Sequence, residues 1–71
     1  MITYRQHAGT PIGYSTVYTV LQDGNPVGEI RKTEPPIWAE DKTPVFEAYS
    51  ITGQKLGTGK SRMHAAAHIT G

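Results

Sequence analysis

The C-terminal segment 56–69, with the sequence LGTGKSRMHAAAHI, constrains the fold more than any other part of the chain. Its glycines predict a turn after a strand, and its three consecutive alanines favour a helix. Ser61 has the side chain of a helix N-cap, because its hydroxyl can accept a hydrogen bond from a backbone N–H two or three residues later. We therefore predict a short helix over 61–70. Its spacing predicts a buried face of Met63, Ala65, Ala66 and Ile69, and an opposite arc of Lys60, Ser61, His64 and His68.

The middle of the chain alternates between strand-like and turn-like segments. The densest run of β-branched and aromatic side chains, YSTVYTVLQ, gives the strongest strand prediction. Asp23 and Gly24 predict a hairpin turn after it, and a Pro-rich connection covers 33–43. The predicted strands are 14–22, 27–32, 44–52 and 54–58.

The start of the chain is the least regular part. Residues 1–13 contain Gly9, Pro11 and Gly13 and predict a loop-rich N-terminal arm, in which only 2–5 has the composition of a short strand. Together, the predicted strands and the predicted helix indicate one small α+β domain. Its antiparallel sheet covers 14–58 as a three- to four-stranded meander, because short hairpin connections impose antiparallel pairing. One C-terminal helix packs on one face of that sheet.

Length and composition narrow the functional classes. A chain of 71 residues without cysteine is one domain with a thin core and no disulfide to reinforce it, which leaves a homodimer open. The formal net charge of +1 lacks the basic surplus of sequence-independent nucleic-acid binders. No apolar run reaches the roughly 18 residues of a membrane span. We expect a cytoplasmic protein without a cofactor.

Two motifs near the predicted helix suggest chemistry, and each lacks a required residue. The segment GTGKS resembles a phosphate-binding loop, but that loop needs a glycine where Gln54 stands. His64 and His68 have the spacing of a metal pair, yet zinc sites usually need four ligands, and only His7 remains as a third histidine. No nucleophile–base pair or carboxylate pair can be argued from spacing. We predict no metal site and no enzymatic activity.

Aromatic and apolar side chains suggest a surface for a protein partner. Ile37 and Trp38 are the two large apolar residues of the Pro-rich connection, and tryptophan is enriched at binding hot spots. The alternative is that Trp38 folds back to cover a sheet edge or to fill the core, and the scarcity of large residues favours it. Tyr14, Tyr18 and Tyr49 would form an aromatic platform if they lie on the helix-free face; otherwise they form stabilising cross-strand pairs.

Basic side chains suggest a second kind of partner. Lys55, Lys60 and Arg62 surround the predicted helix start, and Arg31 and Lys32 lie on a strand. These residues would hold nucleic-acid phosphates if they converge in space, and the helix N-terminus would add free backbone N–H groups.

Two families share features with this chain. The segment 46–69 resembles the end of double-stranded-RNA-binding domains, in which a three-stranded sheet leads into a basic turn and an alanine-rich helix. Lys60, Ser61 and Arg62 match the basic helix start that contacts phosphates in that family, although the family's first helix is absent here. The segment 14–69 resembles the three-strand-plus-helix DNA-binding domains at the N-termini of some phage integrases. In size and style the chain is similar to small bacteriophage accessory proteins.

Two functions from different classes follow from these patterns. The leading hypothesis is a small non-enzymatic binding protein, a phage-type regulator or inhibitor that binds a host protein in the host cytoplasm. Ile37, Trp38 and the tyrosines would carry its contacts. The alternative is a DNA- or RNA-binding accessory module that uses the basic residues. Whether those basic residues converge in space decides between the two.

Overall fold

Five antiparallel strands and one helix make up the described part of the chain. A computed structural model describes residues 1–10, 12–33, 35, 37–41 and 43–70. The elements are, in order, β1 (Ile2–Gln6), β2 (Tyr14–Gln22), β3 (Asn25–Thr33), β4 (Phe46–Ser50), β5 (Lys55–Gly59) and α1 (Arg62–Thr70). The strands follow one another in the sheet in the same order as in the chain, and each neighbouring pair is antiparallel.

The predicted α+β class is confirmed, but the predicted strand count is wrong, because the sheet has five strands rather than three to four. The additional strand is β1, which lies inside the predicted N-terminal arm. It pairs with β2 from Ile2 opposite Gln22 to Gln6 opposite Tyr18. The glycines and the proline that predicted a loop all follow this strand. The sheet therefore begins at β1 rather than at β2.

The β2–β3 hairpin has the turn that the sequence predicts. Gln22 pairs with Asn25, which leaves Asp23 and Gly24 as a two-residue loop. Their φ angles are +51° and +85°, and a type I′ turn requires positive φ at both central residues. The Asp23 carboxylate also accepts a hydrogen bond from the N-terminal ammonium of Met1, which joins the start of β1 to this turn.

The helix is capped as predicted. The N–H of His64 donates to the hydroxyl oxygen of Ser61 at 3.1 Å, and the N–H of Ala65 donates to the Ser61 carbonyl oxygen at 3.0 Å. Because Ser61 is the cap, the first helical residue is Arg62. The three alanines that predicted the helix all lie within it.

The sheet-facing side of α1 differs from the predicted face at two positions. Met63, predicted to be buried, is 72% exposed. His68, predicted on the opposite arc, lies against β5 with its Nε2 2.9 Å from the carbonyl oxygen of Thr58. Its ring occupies the space that a Cβ on Gly57 would take. The helix face is rotated because a glycine in β5 leaves room for an imidazole.

The core between α1 and the sheet is built from small and medium side chains. The helix packs over β3, β4 and β5. A Cβ on Gly28 would lie 2.8 Å from the Ile69 side chain, and one on Gly59 would lie 2.8 Å from the backbone nitrogen of Ala65. These distances are shorter than van der Waals contact, so the helix approaches the sheet closely because these positions have no side chain. The buried core cluster consists of Val20, Ile30, Ala48, Ala65 and Ala66.

A register shift near the start of β2 moves Tyr14 to the helix-free face. The shift, a β-bulge or similar irregularity, lies between Tyr14 and Thr16. The Tyr14 hydroxyl thereby reaches Glu47 on the helix-free face, whereas Tyr18 packs against the core on the helix side. Strict alternation along 14–22 would place Tyr14 and Tyr18 on the same face, but alternation holds only while the register is unbroken, and the two tyrosines lie on opposite faces.

Gly59→Ala is expected to lower the free energy of unfolding by about 1–3 kcal/mol, because the added methyl group meets the backbone of α1. Gly9→Ala is the matched control, since nothing lies within 4 Å of a Cβ there. Urea unfolding of both variants, followed by circular dichroism, makes the comparison. Equal stability of the two variants would contradict the close approach of helix and sheet.

Candidate binding sites

The connection between β3 and β4 is a surface loop whose two ends are held together. The backbone N–H and the hydroxyl of Thr33 both donate to the carbonyl oxygen of Val45, at 2.9 and 3.0 Å. Within the connection, the N–H of Thr43 donates to Oδ1 of Asp41 at 2.8 Å, the pattern of an Asx turn. Short-range bonds of this kind favour one loop conformation. We call the described part of this connection, residues 35, 37–41 and 43–45, the β3–β4 loop.

Ile37 and Trp38 lie on this loop with exposed side chains. Trp38 is 83% exposed and Ile37 is 93% exposed. The interpretation that Trp38 covers a sheet edge or fills the core is therefore wrong. The close contact between α1 and the sheet completes the core without an indole. The structure leaves the two residues accessible, as the protein-partner hypothesis requires.

The β3–β4 loop lies at one end of the sheet together with other exposed groups. In this meander, the end of β3, the start of β4, the end of β5 and the start of α1 all meet there. The exposed side chain of Ile12, between β1 and β2, is at this end as well. Hydrogen bonds from Thr43 lower the pKa of the Asp41 carboxyl, and the nearby charge of Lys60 lowers it further. The loop thus approaches the β5–α1 turn, and we call this end of the sheet the loop end.

Two of the three predicted platform tyrosines meet on the helix-free face. The guanidinium carbon of Arg31 lies 4.4 Å from the ring centre of Tyr49 and 5.5 Å from that of Tyr14. Its Nε donates to Oε1 of Glu29 at 3.1 Å. Tyr18 lies on the other face, so the predicted platform is divided. Because Arg31 covers the rings of Tyr14 and Tyr49, these tyrosines form an internal cluster rather than an open stacking surface.

Glu47 joins the groups of this cluster. Its Oε1 accepts hydrogen bonds from the hydroxyls of Tyr49 at 2.8 Å and Tyr14 at 3.2 Å, and its Oε2 lies 3.5 Å from Nζ of Lys55. Burial raises the pKa of this carboxyl, but the two hydrogen bonds and the charge of Lys55 outweigh burial and leave the pKa below its ordinary value. The pKa of the Tyr49 hydroxyl is raised, first by Tyr14 and then by burial and Glu47. The cluster stabilises the sheet.

The basic residues predicted to hold phosphates are divided between the two faces. Arg31 and Lys55 lie on the helix-free face, and each is paired with a carboxylate. Lys32, Lys60 and Arg62 lie on the helix side or at the start of α1, and none of them forms an ion pair with another residue that the structure describes. The five predicted basic residues therefore do not form one patch, and only Lys32, Lys60 and Arg62 lie on the side of the helix start.

Aromatic rings lie beside two of the cations on the helix side. The guanidinium carbon of Arg62 is 4.1 Å from the ring centre of Tyr4 and 5.2 Å from that of Tyr18, and the two rings meet edge to face. Nζ of Lys32 is 5.9 Å from the ring centre of Phe46. The loop-rich arm predicted over 1–13 gives Tyr4 no role. The alternation of apolar and polar residues over 2–5 was the available signal.

The histidines are not brought together as a metal site. His68 contacts β5, as described above, whereas His7 directly follows β1, with its Nε2 2.5 Å from the hydroxyl oxygen of Thr19 in β2. In the part of the chain that the structure describes, no group of three or more His, Cys, Asp or Glu side chains is placed to hold a metal ion.

Comparison with protein-family models, with curated proteins and with solved structures gave no match. The resemblances to double-stranded-RNA-binding domains and to integrase N-terminal domains therefore stay predictions. No helix among the described residues has the length and apolar character needed to cross a membrane.

Glu47→Gln is expected to make the free energy of unfolding less dependent on pH in the acidic range. The folded pKa of Glu47 lies below its ordinary value of 4.5, so its carboxylate stabilises the fold above that pH, and this contribution is lost as the pH falls through the folded pKa. At neutral pH the variant should be about 1–2 kcal/mol less stable, because an amide is a weaker acceptor than a carboxylate. The difference from the parent should shrink on acidification.

Urea unfolding at neutral pH and at a series of acidic pH values measures this effect. Glu40→Gln, at an exposed position of the β3–β4 loop, is the matched control and should follow the parent. A Glu47→Gln variant whose stability falls with acid as steeply as the parent's would show that Glu47 does not join the cluster in this way.

Proposed function

We propose that the protein is a non-enzymatic binding module that docks on a protein partner through the β3–β4 loop. The observation that carries the proposal is the 83% exposure of Trp38, beside the exposed Ile37. Tryptophan is enriched at the energetic centres of protein interfaces. Loops held by a rigid sheet are frequent sites of recognition.

The energetics favour a role for these side chains in an interface. A tryptophan that becomes buried removes roughly 150–250 Å² from water, which corresponds to about 4–6 kcal/mol before the costs of association are subtracted. The bonds between Thr33 and Val45 hold the base of the loop, so that less ordering entropy is lost when a partner binds.

The charges around Trp38 indicate the chemistry of the partner. Glu40 and Asp41 follow Trp38 and are exposed, and the lowered pKa of Asp41 keeps its carboxyl ionised. A complementary partner surface has an apolar pocket for the indole and basic residues at the rim of that pocket. The tyrosines leave the proposed contact set, because the Arg31 cluster and Arg62 already cover their rings.

The proposal includes the regulatory role expected from the sequence. A chain of 71 residues with one exposed recognition loop suits a phage-type regulator or inhibitor that occupies a host protein in the host cytoplasm. Its size and this loop are the support for that assignment.

Trp38→Ala is expected to weaken partner binding at least about 30-fold, the loss that corresponds to a hot spot of 2 kcal/mol or more, without changing the unfolding midpoint. The measurement is affinity capture from a nuclease-treated bacterial lysate, followed by titration of the captured protein. Ile51→Ala is the matched control, because Ile51 is also exposed but lies in the β4–β5 turn at the opposite end of the sheet.

Trp38→Phe should recover part of the affinity, because a smaller ring fills part of the same pocket. Capture that Trp38→Ala and Ile51→Ala reduce equally would contradict the assignment. So would a Trp38→Ala variant that unfolds, because Trp38 would then serve the core.

A further inference from the structure

Charge is distributed unevenly between the two faces of the sheet. The acidic side chains of the described residues are Glu29 and Glu47 on the helix-free face, Asp23 in the β2–β3 turn, and Glu40 and Asp41 in the β3–β4 loop. None of them lies on α1 or at a helix-facing strand position. The helix side carries cations and histidines instead, so it is the electropositive side of the molecule.

Three of those cations surround the start of α1. Lys32, Phe46 and Gly59 are neighbours across β3, β4 and β5. A Cβ on Gly59 would contact the first turns of the helix, which places this row of residues beneath the helix start. Lys60 directly follows Gly59, and Arg62 is the first helical residue. The fold therefore brings together residues that are far apart in the chain.

The helix leaves part of this face uncovered. Because α1 packs over β3, β4 and β5, the strands β1 and β2 form a shelf beside it. The half-buried rings of Tyr4 and Tyr18 lie on that shelf with the guanidinium group of Arg62 above them. Cations placed next to aromatic rings along one surface are the pattern by which proteins hold single strands, whose phosphates pair with the cations and whose bases stack on the rings.

We infer that the shelf beside α1 binds single-stranded nucleic acid, with Lys32 and Lys60 on the phosphates and a base stacked on the exposed guanidinium group of Arg62, which lies on the rings of Tyr4 and Tyr18. A base can stack on this guanidinium group only when it is unpaired, so a duplex fits this surface poorly. This site uses none of the residues of the Trp38 interface, and either proposal stands if the other fails.

The affinity should depend on salt in proportion to the number of phosphate contacts. Two phosphate contacts to a single strand predict a slope of about −1.4 for log K against log salt, so that binding weakens about sevenfold between about 50 and 200 mM salt. Fluorescence anisotropy with a short labelled oligothymidine and a matched duplex measures both the slope and the preference for a single strand.

Lys60→Gln is the test variant, because Lys60 is exposed and its loss should not affect folding. It should lower the affinity and reduce the salt slope by about 0.7. Lys55→Gln makes the same charge change on the helix-free face and should change neither. Trp38→Ala should keep the parent's slope, since it removes no charge.

A second pair of variants tests the location of the site by adding positive potential. Asp41→Asn removes a negative charge next to Lys60 and should strengthen binding about two- to threefold, whereas Glu29→Gln removes one on the helix-free face and should have no effect. Equal effects of Lys60→Gln and Lys55→Gln would overturn the inference, because they would indicate non-specific attraction. Duplex binding as tight as single-strand binding would overturn it too, as would no binding at low salt.

Discussion

The close contact between α1 and the sheet is the constraint on which the rest of the structure depends. The helix is only nine residues long, too short to be stable in isolation, so its stability comes from packing. Glycines at the helix-facing positions of β3 and β5 and alanines on the helix bring the two backbones close together. Each of these residues is small, so none of them holds the two backbones apart.

Because the core is built from small residues, large apolar side chains are found at the surface. A core that is filled by Val20, Ile30 and Ala48 against two alanines has no need of a tryptophan. The indole of Trp38 therefore stays on a loop, where it does not contribute to the core. The same close packing keeps the short helix over β3, β4 and β5 and exposes the shelf of β1 and β2. Both proposed binding surfaces thus follow from the close packing of α1 on the sheet.

The sequence predicts local features well where a single residue type determines the geometry. Asp23 and Gly24 define a type I′ turn, and Ser61 caps the helix, so both could be read directly from the chain. The face on which Tyr14 lies could not be predicted, because one register shift in β2 reverses the alternation of side chains between the two faces. The sequence also does not predict the rotation of α1 that exposes Met63 and places His68 on β5. That rotation depends on Gly57 in β5, which contacts the helix only in the folded chain.

For the candidate sites, too, the sequence indicates which residues to consider, whereas the fold decides where they lie and how exposed they are. Trp38 was identified from its residue type and its Pro-rich surroundings, but its exposure depends on a core that closes without it. The basic residues form one set in the sequence, yet the sheet separates them: Arg31 and Lys55 pair with carboxylates on the helix-free face, whereas Lys32, Lys60 and Arg62 lie around the start of α1. Asp41 lies at the boundary between the two surfaces, because it belongs to the β3–β4 loop and its charge acts on Lys60. Asp41 would therefore attract a basic partner rim at the loop and weaken the binding of an anionic ligand near Lys60, so that its charge acts in opposite directions on the two proposed surfaces.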